Sequence, residues 1–136
     1  MTVGTDKVNI AFAQKIQYAK IQNLRGEFVL PSSATISAAA SGEIPADTRC
    51  SITNADAAGA YPISTFTWMI IYKEQNYSDR SKEQAIATLD LLKYILSDEA
   101  QNITSEVHYA PLPAKAKELS MTNLKAVTFD GMAILQ

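Results

Sequence analysis

The chain has 136 residues, of which 47% are hydrophobic and 19% are charged, a size and balance typical of one globular domain with its own core. Its 12 Lys and Arg residues against 14 Asp and Glu residues give a formal net charge of −2, which argues against nucleic acid as a partner. A single cysteine and a single histidine exclude an intramolecular disulfide and the usual zinc ligand sets within one chain.

No membrane-spanning or signal-peptide pattern is visible in the sequence. The longest apolar run is far shorter than the roughly 20 residues that a spanning helix needs. The first seven residues have neither a basic start nor an apolar core. We therefore expect a soluble chain, although a mature exported protein, or a part of a longer one, would show the same pattern.

The N-terminal third predicts a helix and then a hairpin. Residues 8–20 are predicted to be helical, because apolar side chains recur there at three- and four-residue steps. Residues 18–22 and 27–30 are predicted to be short strands, joined by a polar turn that ends at Gly26. The apolar positions of the predicted helix are Ala11, Phe12, Ile16 and Ala19.

A short helix and a long connection follow the hairpin. Ser32 and Ser33 can cap a helix over residues 34–40, where alanines favour the helical state and Gly42 marks the end. Residues 43–60 are rich in turn formers and leave room for little more than a short strand around residues 50–53.

The sequence predicts a central strand that begins at Thr65 and ends at Tyr72. This stretch holds the longest β-branched and aromatic run and the only tryptophan, Trp68. Pro62 suits the entrance to a strand, because proline lacks an amide donor. The uninterrupted apolar run at 68–71 is typical of a strand that is covered on both faces.

The C-terminal half predicts three helices. Ser81 and Gln84 match a capping box at the start of an amphipathic helix over residues 81–96. A shorter helix is predicted from 97 to 107, then a rigid connector with two prolines at 107–113, and a last helix from Pro113 to about residue 127. The order of elements indicates α/β or α+β layering.

Three hydroxyl side chains are weak candidates for an anion site. Ser64, Thr65 and Thr67 could donate hydrogen bonds to a phosphate or a similar oxyanion, although serine and threonine are also ordinary strand residues. The glycines are too scattered for a phosphate-binding loop, and the acidic residues lack the spacing of a Ca²⁺ loop. We predict no metal site and no cofactor.

His108 and Cys50 are the remaining candidates for catalysis. Histidine titrates closest to neutral pH, and Arg49 could lower the pKa of the Cys50 thiol. Neither residue has a recognisable nucleophile or base motif beside it, so a structural role is favoured for both. We expect the protein not to be an enzyme.

Three sequence blocks resemble one protein family. They are Ala-Tyr-Pro-Ile-Ser-Thr-Phe-Thr-Trp at 60–68, Leu-Leu-Lys-Tyr-Ile-Leu at 91–96 and Tyr-Ala-Pro-Leu-Pro at 109–113. Their order and spacing resemble the C-terminal part of the substrate-binding proteins of phosphate ABC transporters. Residues 11–15, 28–32 and the alanine-rich 37–41 also resemble the family. With the Asp-Gly tail at 130–131 the likeness covers nearly the whole chain, and it is strongest over residues 60–113.

The resemblance implies an α/β fold that is part of a two-lobed, type II periplasmic-binding-protein-like structure closing on phosphate. Residues 1–59 would end the second lobe, and residues 60–136 would form the crossover and the returning part of the first lobe, with one compact unit as an alternative. Tyr61, Pro62 and Ile63 would form the hinge at the crossover. A periplasmic or cell-surface location and contact with a membrane permease are also implied.

The departures from the family pattern concern the phosphate ligands. In the family these lie earlier: a threonine-containing loop, a serine and an aspartate, and an arginine followed by Ser-Gly-Thr. None of these motifs occurs here. We expect a truncated, C-terminal portion that meets phosphate only with a missing N-terminal half, and that forms a homo-oligomer or pairs with a complementary chain. The alternatives are a stand-alone assembly or partner-binding protein derived from the family and, more remotely, a small hydrolase using His108 or Cys50.

Overall fold

The computed structural model describes residues 2–4 and 14–135. Within these ranges the strands form three antiparallel pairs, β1 with β4, β2 with β3 and β5 with β6. The mixture of helices and strands is compatible with the predicted α/β class. In chain order the elements are β1 (Thr2–Gly4), β2 (Ile21–Gln22), β3 (Phe28–Val29), α1 (Ser33–Ala39), β4 (Thr65–Thr67), α2 (Lys82–Ile95), α3 (Asp98–Ile103), a 3₁₀ turn (Thr104–Val107), α4 (Ala114–Lys125), β5 (Thr128–Phe129) and β6 (Met132–Ala133).

The helix predicted over residues 8–20 lies partly outside the described residues, which exclude 5–13. Its described end is not helical: residues 16–20 form no regular element. Lys15 has a φ of 54°, a left-handed conformation that a right-handed helix cannot continue through. Ile16, predicted to face inward, is exposed. The prediction is therefore wrong for residues 16–20.

The predicted hairpin is confirmed, and its turn is tied to a distant part of the chain. Ile21 pairs with Val29, and Gly26 takes the positive φ of 81° that the turn requires. The Asn23 side chain accepts from the backbone N–H of Glu27 at 2.9 Å and donates to the Ala60 carbonyl at 3.2 Å. The turn is thereby fixed against the segment that leads into β4.

Helix α1 and the loop after it also follow the prediction. The Ser32 hydroxyl accepts from the Thr35 amide at 3.2 Å, and the Thr35 hydroxyl accepts from the Ser32 amide at 2.9 Å, which completes a capping box. Ile36 and Ala39 face the core. The connection over 43–60 is irregular, and no strand forms at 50–53.

The central strand predicted from Thr65 to Tyr72 is wrong in length and in burial. β4 ends at Thr67, and β1 is its partner within the described residues. Met69 is 55% exposed and Ile70 is 93% exposed, so the apolar run is not covered on both faces. A strand needs a partner for its backbone groups, and no backbone hydrogen bond of Met69, Ile70 or Ile71 occurs among the described residues.

Helix α2 confirms the strongest helical pattern in the sequence. Ser81 accepts from the Gln84 amide, while the Gln84 side chain accepts from the Ser81 amide, as the capping box predicts. Ala85 and Leu89 are fully buried, and α2 packs against α3 and α4. No helix among the described residues is long and apolar enough to cross a membrane.

One buried amide holds the proline-rich connector in place. The Gln101 side chain donates to the Ile95 carbonyl at 2.8 Å and accepts from the Leu112 amide at 2.7 Å. These two bonds fix the stretch before α4 against the end of α2. Pro113 then precedes the first residue of α4, a position where proline costs the helix no hydrogen bond.

The core is one apolar cluster that draws on the hairpin, α1, β4, α2 and α4. Both of the predicted units, 1–59 and 60–136, contribute to it, and the division into two lobes stays a prediction. Its buried members are Val29, Ile36, Ala40, Ile52, Tyr61, Phe66, Leu89, Leu96, Ala110, Leu112, Ala116, Leu124 and Val127.

Candidate functional site

An open apolar groove lies beside the segment that follows β4. Its volume is about 800 Å³, and it is bounded by residues 68–71, by α2 and by the end of α4. Leu92, Leu96 and Leu124 contribute apolar walls, whereas Asp47, Arg49 and Lys73 contribute charge. Ligand and partner sites are commonly concave, mostly apolar and edged by a few polar groups, so this groove is the candidate functional site.

Trp68 is held in a fixed orientation at this groove. Its indole N–H donates to the Thr48 carbonyl at 3.0 Å. Its ring packs edge-to-face on Phe66, with 5.9 Å between the ring centroids and 69° between the planes. Because Phe66 belongs to the core, the groove presents a partly exposed aromatic surface that is already ordered.

The three predicted anion-binding hydroxyls do not share one face. The Ser64 side chain is buried and donates to the Tyr61 carbonyl at 2.7 Å. Thr65 and Thr67 flank buried Phe66 in β4 and point away from the core, and the Thr65 hydroxyl donates to the Phe66 carbonyl at 3.1 Å. Anion binding by these residues remains a prediction.

Ser64→Ala is expected to lower the free energy of unfolding by about 1–3 kcal/mol, because the buried Tyr61 carbonyl loses its donor. Urea unfolding followed by circular dichroism measures the change. The matched variant Ser105→Ala removes an exposed hydroxyl and should change stability by less than about 0.5 kcal/mol. Equal stability of the two variants would contradict a structural role for Ser64.

The predicted hinge residues are anchored on both sides. The Tyr61 amide donates to the Thr35 carbonyl at 2.9 Å, and the Pro62 carbonyl accepts from the Asn54 amide at 2.7 Å. Ile63, by contrast, is exposed. The segment is therefore bonded to α1 and to the preceding loop, and its role as a hinge remains a prediction.

The environment of Cys50 opposes a nucleophilic role. Burial, and then the negative charge of Asp47, raise the pKa of the Cys50 thiol. A raised pKa reduces the thiolate, which is the reactive form. His108 lies at the end of the 3₁₀ turn with a φ of 61°. Among the described residues, no group of three or more His, Cys, Asp or Glu side chains could hold a metal ion.

Glu74 forms a hydrogen-bonded hub that the sequence did not indicate. One carboxylate oxygen accepts from the amides of Asn76 at 2.9 Å and Asp130 at 3.0 Å. The other accepts from the Thr128 hydroxyl at 2.8 Å and the Gly131 amide at 3.1 Å. These bonds, with the Asn76 amide the first cause, lower the pKa of Glu74 from 4.5 to about 2. The carboxylate thus fastens the β5–β6 hairpin to the segment after Tyr72.

Glu74→Gln is expected to flatten the acid side of the stability profile. The folded-state pKa of about 2 lies below the ordinary value of 4.5, so the stabilisation from the charged form is complete above pH 4.5 and is lost as pH falls towards 2. Urea unfolding at several pH values from 7 down to about 3 measures the free energy of unfolding of both proteins. The difference in free energy of unfolding between wild type and variant should narrow as pH falls. A difference that stays constant with pH would contradict stabilisation by the hydrogen bonds to the charged Glu74 side chain. Glu43→Gln, at an exposed site, is the matched control.

The chain is similar in sequence to several proteins that are named as phosphate-binding proteins. The phosphate-binding proteins PstS of two Xylella fastidiosa strains are 32% and 31% identical over 115 residues, which cover 82% of this chain and 30% of each relative. PstS of Methanocaldococcus jannaschii is 27% identical over 135 residues, which cover 93% of this chain and 35% of that relative. The chain thus spans about a third of the length of these relatives. No protein-family model matches it. The chain is therefore partly homologous, over most of its own length, to PstS phosphate-binding proteins.

Proposed function

We propose that the chain is a phosphate-binding-protein-like solute-binding module of an ABC transporter, and that it corresponds to the C-terminal portion of such a protein. One observation carries the proposal: similarity to proteins named as phosphate-binding runs through 82–93% of this chain and covers only 30–35% of theirs. Residues 1–59 and 60–136 would then belong to two lobes joined at Tyr61, Pro62 and Ile63. A periplasmic or cell-surface location and a permease partner follow from the same proposal.

In this proposal the residues that hold phosphate lie outside the chain. A desolvated phosphate needs several charged or polar donors that converge on its oxygens, and arginine is the most effective of these. The three arginines of this chain already donate to protein acceptors: Arg25 to Asp56 at 2.8 Å, Arg49 to Asp47 at 2.9 Å, and Arg80 to the Tyr77 hydroxyl at 3.1 Å. The Ser64 hydroxyl is similarly engaged.

A reconstitution experiment tests the proposal. The chain is mixed with the N-terminal two-thirds of a longer PstS protein chosen for its match to this chain, and the mixture is titrated with inorganic phosphate in a calorimeter. We expect saturable phosphate binding by the mixture, with neither part binding alone. A mixture that forms a stable complex but releases no heat with phosphate would overturn the proposal.

The exposed apolar run at 68–71 favours a second candidate, an assembly or partner-binding protein derived from the same family. Exposed apolar surface of this kind commonly marks an interface, and it supports our expectation of a homo-oligomer or a complementary chain. Light scattering over a range of protein concentrations tests the homo-oligomer. A stable oligomer that binds no phosphate in any mixture would favour this second candidate.

A further inference from the structure

Two Asn-X-Ser/Thr triplets occur in the sequence, and they lie in different surroundings. One is Asn-Tyr-Ser at 76–78, in the link before α2, and the other is Asn-Ile-Thr at 102–104, where α3 passes into the 3₁₀ turn. An Asn-X-Ser/Thr triplet without a central proline is the acceptor for N-linked glycans in exported proteins. Such triplets also arise by chance, so the accessibility of the asparagine and of the hydroxyl two residues later decides which of them is a site.

The triplet at Asn102 is locked into the fold. Asn102 lies within α3, so its backbone is helical. The Thr104 hydroxyl is buried and donates to the Gln101 carbonyl at 2.6 Å. Gln101 is buried as well, and its side chain fixes the connector before α4. An enzyme that has to reach the side chains of both Asn102 and Thr104 would therefore have to open the end of α3.

The triplet at Asn76 is open to solvent. Asn76 and Ser78 are both exposed, and residues 75–81, all of them described, form no helix or strand. Ser78 and Asp79 have φ values of 50° and 59°, so the chain makes a left-handed turn directly after the triplet. Connecting segments of this kind lie on the surface and move more readily than helices. The Asn76 amide and the Ser78 hydroxyl can therefore be reached without the opening of a helix or a strand.

The hydrogen bonds of Asn76 are compatible with an attached glycan. The side-chain Nδ2 of Asn76 donates to the Asp130 carboxylate in an exposed contact. A primary amide has two N–H hydrogens, and glycosylation replaces one of them, so the other can still donate to Asp130. The bond from the backbone N–H of Asn76 to Glu74, at 2.9 Å, takes no part in the transfer. The Glu74 hub is therefore preserved in the glycosylated chain.

We propose that Asn76 is an N-glycosylation acceptor of the folded chain and that Asn102 is not. The proposal rests on the proposed function in one respect, since glycan transfer needs the periplasmic or cell-surface location. Asn76 Nδ2 attacks C1 of the first sugar of a lipid-linked oligosaccharide, and the N–C1 bond forms as the bond from C1 to the lipid diphosphate breaks. The diphosphate leaves with the electron pair, and the amide nitrogen gives up a proton to a base of the transferase.

Glycan transfer to the purified full chain tests the proposal. The folded chain is incubated with a lipid-linked oligosaccharide and a single-subunit oligosaccharyltransferase that reads Asn-X-Ser/Thr alone, and mass spectrometry of proteolytic fragments measures occupancy at each asparagine. Synthetic peptides of residues 71–83 and 97–109 report how well the enzyme accepts each triplet outside the fold. We expect both peptides to be modified, and occupancy in the folded chain to be about tenfold higher at Asn76 than at Asn102, because opening a buried segment costs free energy. Asn76→Gln should abolish the modification, whereas the matched variant Asn102→Gln should leave it unchanged.

The other outcomes decide against the proposal. A folded chain that stays unmodified at Asn76, or that is modified equally at Asn76 and Asn102, would overturn it. A peptide of residues 71–83 that the enzyme rejects would also overturn it, because the triplet itself would then not be an acceptor. Phosphate and a second chain play no part in this experiment, so its result is distinguishable from a failure of the proposed function, which the reconstitution titration reports.

Discussion

Phe66→Ala is expected to lower the free energy of unfolding by about 3–5 kcal/mol, the usual cost of removing a buried phenylalanine ring. Phe66 is 2% exposed and lies at the centre of β4 within the main apolar cluster. It also supports Trp68 through the edge-to-face contact, so the groove should lose its ordered aromatic surface together with the core contact.

Phe28→Ala provides the matched control. Phe28 belongs to β3 and is 65% exposed, so its truncation should change stability by about 0.5 kcal/mol or less. Urea unfolding measures both variants, and Trp68 fluorescence in the folded state reports the groove. Similar losses of stability in the two variants would show that Phe66 is not the core residue that its burial indicates.

Leu89→Ala should cost about 2–5 kcal/mol, the range for a buried leucine that leaves a cavity. Leu89 is fully buried in α2 and belongs to the main apolar cluster. Leu91→Ala is the control within the same helix: Leu91 is 58% exposed, and the change in helix propensity is the same. Its expected effect on the free energy of unfolding is about 0.5 kcal/mol or less. A larger loss of stability from Leu91→Ala than from Leu89→Ala would show that Leu91, and not Leu89, lies on the buried face of α2.

The elements that the sequence predicted well are those set by local chemistry. The capping box of Ser81 and Gln84 and the apolar stripe that includes Leu89 require no knowledge of distant residues. The hairpin turn at Gly26 is equally local, because it depends on a positive φ. In these cases the residues that determine the element are the residues of the element itself.

Elements that depend on distant partners were predicted poorly. The run from Trp68 to Ile71 has the composition of a strand. A strand also requires a partner strand, and composition does not identify that partner. The Glu74 hub joins residues more than fifty positions apart, and Glu74 has no local pattern that marks it. The helix predicted over residues 16–20 fails for a related reason, since Ile16 and Ala19, the two of its predicted inward positions that the structure describes, are both exposed.

For the candidate site, too, local sequence patterns were predicted well and features that depend on distant residues were not. The resemblance at 60–68, 91–96 and 109–113 agrees with homology to phosphate-binding proteins. The hydroxyls of Ser64, Thr65 and Thr67 looked alike in sequence, yet only their positions show that Ser64 is buried and bonded to Tyr61 while the threonines face outward. Hydroxyl direction depends on strand pairing, which residue type alone does not specify.

Titration of this chain alone with inorganic phosphate, followed by calorimetry, tests the central claim most directly. The proposed account places the phosphate ligands outside the chain, and its arginines already bind acidic or polar groups of the protein itself. The account predicts only heats of dilution, with sulfate and phosphate giving the same trace. Saturable binding of one phosphate per chain that sulfate does not reproduce would contradict it.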